Sequence, residues 1–178
     1  MLGAPGGGIQ RLRSAAIGYY PAGMLNAEPT SNPDRAWAIA FARLVLGLIF
    51  FMAGCYKVFE QGPIEHAQKW FLPYRDTFLP VWSLWAVGTA IPFVELIAGG
   101  LLLIGWRVRE ALIALGGVLV IVTFGHLLKE PLYPFHEHVI PRLALLVFLL
   151  AMPRADDRFT VDFLARHLAR RLAGRRAS

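Results

Sequence analysis

The chain has one cysteine, Cys55, among 178 residues. That excludes an intramolecular disulfide and a CxxC redox pair, and with them a self-contained thiol oxidoreductase. Cys55 stands in an apolar run and reads as a small buried packing residue. Carboxylates are also scarce, with 12 Asp and Glu against 18 Lys and Arg. No GxGxxG fingerprint, phosphate-binding loop, serine-nucleophile elbow or HExxH occurs, so soluble nucleotide chemistry is excluded. The first 35 residues contain Gly3, Gly6, Gly7 and Gly8, several prolines, Arg11 and Arg13, but no sustained apolar core of the kind a cleavable signal peptide needs. They read as a flexible cytoplasmic tail, residues 1–35, with a short interfacial turn around residues 17–20.

Apolar residues are abundant. The chain is 56% hydrophobic with a mean hydropathy of +0.50, more apolar than an ordinary soluble domain. The net charge of +6 comes from basic residues gathered at both ends and in one connecting loop. A membrane protein places its basic residues in this way for topological reasons, so no nucleic-acid partner is expected.

Four apolar runs, at 37–59, 81–104, 108–128 and 138–152, predict an all-α polytopic membrane protein with a four-helix transmembrane domain over 36–153. About 20 residues cross the hydrocarbon core, so the fourth run is short and is expected either to tilt little or to have the bilayer thin around it. The runs are too long for strands and lack alternation. Arg11, Arg13 and Arg35 precede the first run, Arg107 and Arg109 separate the second and third, and Arg154, Arg158 and five further arginines follow the fourth. The opposite side has only Lys57, Lys69, Arg75 and Lys129. Both termini are therefore expected on the cytoplasmic side of an inner membrane of bacterial type.

Two connecting segments carry more than a turn. Residues 62–80 include Trp70, Phe71, Tyr74 and Phe78, and Trp82 and Trp85 follow. These fit an aromatic belt and an outer interfacial cap. In the basic tail, 154–178, Val161, Leu164, Leu168 and Leu172 recur at helical spacing with Arg166, Arg170 and Arg171 off the stripe. This predicts an amphipathic surface helix that meets the inner leaflet or, through 156–178, a protein partner in a larger membrane complex.

Ionisable residues inside the runs mark the candidate site, because charge in hydrocarbon is costly and tends to face a functional interior. Arg43, Gly47, Gly54 and Lys57 share one helical face of the first run. Gly88, Pro92, Glu95 and Gly99 share one on the second, and Gly116, Thr123 and His126 one on the third. His138 and Arg142 lie one turn apart on the fourth, and four such faces can meet in a left-handed bundle. At 1.5 Å per residue, Arg43 and Glu95 differ in depth by roughly 4 Å, and Arg142 is also within reach. Glu95 is thus expected to pair with Arg43, Arg142 or both, as a register-fixing ion pair or as a group handling a proton or an anionic head group. Lys57 and His126 could hold a quinone head group in an outward-facing cleft. His136-Glu137-His138 matches no standard metal spacing, and only His126 lies well within a run, so haem lacks facing axial ligands.

Arg43 and Gly47, then Gly54 and Lys57, resemble the first-span R-x-x-x-G … G-x-x-K signature of the DoxX family. Pro92, Glu95 and Gly99, closing with Gly105 and Arg107, resemble its P-x-x-E-x-x-x-G second span. The resemblance covers about residues 36–152 and implies a small four-helix inner-membrane protein. It also implies a membrane subunit or accessory partner of a quinone-linked redox system, at most a subunit of a membrane oxidoreductase. In that reading Arg43, Glu95 and Arg142 form the buried polar core. The alternatives are a non-catalytic structural or assembly subunit and a small-solute or proton pathway through Glu95.

Overall fold

A computed structural model describes residues 33–176; the expectations for the N-terminal tail before Pro33 lie outside the described residues. The described chain is all-helical. Helix α1, Pro33–Cys55, runs on into a π-helical turn, Tyr56–Glu60. Then come α2, Pro63–Trp70, a 3-10 turn, Leu72–Asp76, and α3, Val81–Ile104. Helices α4, Val108–Lys129, α5, Val139–Ala151, and α6, Val161–Arg176, complete the order. Among the described residues three helices are long and apolar enough to cross a membrane: α1 with its π turn, α3 and α4. Helix α5 is apolar but only 13 residues long. Their outward faces remain apolar, with Phe41, Met52, Phe93, Ile97, Ile113 and Val120 all exposed, as lipid-facing surfaces require.

Helices α1 and α3 form the tightest pair. A Cβ added at Gly54 would stand 2.4 Å from the backbone nitrogen of Leu96, and one at Gly99 would stand 2.5 Å from that of Phe51. These distances are shorter than any side chain permits, so the two glycines let the backbones touch. Close approach through small residues is how helices gain packing in a medium as apolar as their own side chains. The core beside this contact is Leu46, Phe50, Ala98 and Leu102, joined by Leu112 and Leu115 of α4 and Leu146 of α5.

Helix α3 ends at Gly105, whose φ of 70° needs glycine. The Trp106 N–H donates to the Leu101 carbonyl at 3.0 Å and the Gly105 N–H to that of Leu102 at 3.2 Å, a Schellman closure. Arg43 reaches carbonyls of the same turn. Its Nη1 donates to Leu102 and, at 3.2 Å, to Leu103, while Nη2 donates to the Phe159 carbonyl at 2.7 Å. Its Nε stands 3.6 Å from Asp157 Oδ1. The segment before α6 is thus stitched to the bundle. Arg35 pairs with Asp156 at 3.1 Å, Trp37 packs on Phe159 at 4.6 Å, and the Asp162 N–H donates to the Gly105 carbonyl. Thr160 caps α6 by accepting from the Phe163 N–H at 3.1 Å.

The expected pairing of Arg43 with Glu95 is therefore corrected. Arg43 is committed to the end of the bundle formed by 102–107 and 153–160. A guanidinium with five donors suits a cluster of carbonyls plus one carboxylate better than a single distant carboxylate does.

Gly54→Ala is expected to lower thermal stability in detergent by about 1–3 kcal/mol through overpacking. Gly117→Ala, where a Cβ meets nothing within 4 Å, should leave stability unchanged or slightly raised. Equal effects of the two in a detergent melt would refute the close-approach account.

Candidate functional site

The opposite, aromatic end of the bundle holds the second polar group. The π turn closes with the Gln61 N–H donating to the Tyr56 carbonyl at 2.9 Å, one residue wider than an α turn. Such turns often occur at functional positions. Lys57 lies in this turn, three residues after the Gly54 contact, and its Nζ donates to Glu95 Oε2 at 2.6 Å. The Glu95 side chain is 7% exposed and that of Lys57 24%. Glu95 thus pairs with Lys57, not with either arginine. Arg142 is half-buried on α5, its guanidinium 5.8 Å from the ring centroid of Phe50, a cation–π contact.

Pro92 has no N–H, so inside α3 it leaves the carbonyl four residues back, that of Gly88, without a helical donor. His66 of α2 supplies one: its Nδ1 stands 2.8 Å from that carbonyl. A carbonyl only accepts, so the proton sits on Nδ1 and Nε2 carries the lone pair. The approach requires Gly88, because a Cβ there would lie 2.8 Å from the Cβ of Ala67. Burial holds the His66 imidazole below its ordinary value and outweighs the opposing effect of this hydrogen bond; the charge of Lys57 adds to the lowering.

A cavity of about 540 Å³ opens between these elements. Lys57, His66 and His126 line it, with Trp70, Phe71 and Tyr74 from the cap and Ile91 and Phe124 from α3 and α4. Lys57 and His126 therefore share one cleft, and Glu95 stands behind it on Lys57. His126 stacks on Tyr133 with centroids 3.9 Å apart and planes 12° apart. Lys129 donates to the Pro73 carbonyl and lies 5.0 Å from the Tyr74 ring centroid, fastening the cap to the end of α4. His136 and His138 flank an exposed Glu137 at 3.9 and 3.8 Å. Among the described residues no group of three or more His, Cys, Asp or Glu is arranged to hold a metal.

One member of the site escaped sequence reasoning. His66 carried no periodic signal, although a proline four residues after a glycine announces that some outside donor must serve the freed carbonyl. At the opposite end, Asp157, which faces Arg43, lies within the basic tail and carries no separate signal.

A family model described as "Methylamine utilisation protein MauE" matches residues 35–129. The match spans more than half the chain, and the chain belongs to that family. MauE is a different family from DoxX, and no DoxX match is found, so the DoxX resemblance is corrected. The residues that carried it have packing and pairing reasons common to helix bundles: Gly54 and Gly99 for close approach, Lys57 and Glu95 for charge pairing. No curated protein and no solved structure matches. The match ends at the last residue of α4, so α5 and α6 lie outside it.

Lys57→Met strands a buried carboxylate and is expected to cost about 3–5 kcal/mol. The double variant Lys57→Met, Glu95→Gln should cost less than the sum of the two singles; strict additivity in denaturation would show that the two groups act separately.

His66→Phe should cost about 1–3 kcal/mol by orphaning the Gly88 carbonyl. The cost should shrink in a Pro92→Ala background, whose restored N–H serves that carbonyl. Because the folded pKa of His66 is depressed, the unfolded chain binds more protons below about pH 6.5. The His66 contribution is therefore complete above that pH and declines as pH falls toward the folded value. Thermal melts between pH 7.5 and 5 should show a slope in the native chain that is reduced in His66→Phe.

Proposed function

From its membership of the MauE family, we propose that this chain is a membrane-embedded accessory subunit of a redox system. In this reading the aromatic-end cleft receives a quinone head group. The family description names methylamine utilisation. Converting methylamine to formaldehyde and ammonia is a two-electron oxidation, and its electrons need an acceptor. The observation that carries the reading is the meeting of Lys57 and His126 in one largely apolar cleft. A quinone needs an apolar slot for its ring and tail and one or two donors at its carbonyl oxygens. Lys57 offers a charged N–H donor, His126 a ring nitrogen, and the aromatic cap a stacking wall. Glu95 acts as a positioning residue, holding the Lys57 ammonium at the cleft.

The topology proposed with it has four crossings. Helix α5 crosses through a locally thinned bilayer, both ends of the bundle domain lie on the cytoplasmic side, and α6 lies on the inner leaflet. The asymmetry of Arg35, Arg107, Arg109, Arg154 and Arg158 against Lys57, Lys69, Arg75 and Lys129 supports that orientation. The cleft then faces outward, toward a partner on that side. A purely structural role is the competing reading, and the Lys57–Glu95 pair favours it to the extent that it fixes the register of α1 on α3.

Titration of the detergent-solubilised protein with a short-chain ubiquinone, followed by the fluorescence of Trp70 and its neighbours, separates the readings. The native chain should bind saturably, and His126→Phe should weaken binding roughly tenfold, as loss of one directed hydrogen bond does, with helical content unchanged. No saturable binding, or identical binding by the variant, would leave the pair as a register lock and the chain as a structural subunit.

A further inference from the structure

At the opposite end of the bundle, where Arg43 anchors the Asp156–Thr160 segment, a second cavity of about 660 Å³ opens between α1, the start of α4 and the end of α5. One part of its lining is apolar: Ile39, Ile113, Leu149 and Leu150. The other part includes three arginines, Arg107, Arg109 and Arg154. Three carboxylates, Asp157, Asp162 and Glu110, also line it; Asp157 Oδ1 stands 3.6 Å from Arg43 Nε, and Asp162 Oδ2 accepts from the Val108 N–H at 3.4 Å. Helix α6 begins beside this cavity, and its Val161, Leu164 and Leu168 are each about half exposed, at 48%, 57% and 51%.

We propose that this cavity binds an anionic phospholipid. The phosphate meets Arg107 and Arg109, and one acyl chain follows the apolar wall between α4 and α5. Three observations favour a lipid over a soluble ligand. The lining changes from arginine to aliphatic side chains within one cavity, as a lipid changes from head group to tail. The cavity stands at the ends of helices suited to span a bilayer, where basic pockets meet anionic head groups. The exposed apolar stripe of α6 beside it is suited to lie in the same interfacial layer. Arg107 adds a further sign of specialisation. It holds a φ of 49°, a conformation that an arginine adopts only at some cost and that glycine takes freely. The strain places a charged side chain where the turn alone would favour glycine.

The test uses the full chain purified in mild detergent and native mass spectrometry with added phosphatidylglycerol or phosphatidylcholine. Phosphatidylglycerol should be retained roughly tenfold more strongly. The double variant Arg107→Gly, Arg109→Gln should lose that preference, each basic residue near a head group contributing a few-fold. Because glycine relieves the strained φ, this variant is expected to fold; if its circular dichroism shows otherwise, Arg109→Gln alone decides. Arg75→Gln at the far end is the control and should retain the preference. Equal retention of the two lipids, or an unaltered preference in the arginine variant, would overturn the proposal.

Discussion

Backbone carbonyls of α3 that its own helix cannot satisfy govern where the other elements lie. In a bilayer no water is available to serve them, and each orphan costs several kcal/mol. Pro92 frees the Gly88 carbonyl in mid-helix, and the C-terminal turn leaves the Leu102 and Leu103 carbonyls able to accept from outside the helix. The first is met by His66, which draws α2 flush against α3 over Gly88 and closes one wall of the cleft. The second is met by Arg43, which also takes the Phe159 carbonyl and so ties the start of α6 to the bundle. One helix thus organises both ends of the molecule through side chains supplied by others.

The contact between α1 and α3 depends on shape. Gly54 and Gly99 bring the backbones together, and the π turn that follows sets Lys57 over Glu95. The ammonium then has two roles open to it: neutralising a buried carboxylate and presenting N–H groups to the cleft. The two ends are chemically distinct. At one, a buried guanidinium donates to three carbonyls and lies 3.6 Å from a carboxylate. At the other, a partly exposed ammonium and a histidine face a space lined by aromatic rings.

Much of this was legible beforehand. The apolar lengths of α1, α3 and α4 announce helices suited to a membrane, and the faces carrying Gly54, Lys57, Glu95 and Gly99 follow from a period of 3.6 residues. Pairing was not legible. Depth counted along separate helices put Arg43 within a few ångströms of Glu95, yet the choice among nearby charges depends on crossing geometry, on the extra residue in the π turn and on a segment some 60 positions beyond Glu95. The likeness to DoxX arises for a related reason. Glycines at backbone crossings and a charge pair on facing helices are demanded by packing in lipid, so they recur in families that differ elsewhere.

By itself the sequence determined the helical class, the membrane-suited lengths and the polar face of each helix, because these follow from local periodicity and the cost of apolar surface in water. Only the tertiary structure decided that His66 serves the carbonyl freed by Pro92, that Asp157 and the Phe159 carbonyl claim Arg43, and that Lys57, His66 and His126 share one cleft. Those outcomes depend on which donor reaches which acceptor once the helices have crossed, and the crossing is set by close contacts among residues far apart in the chain.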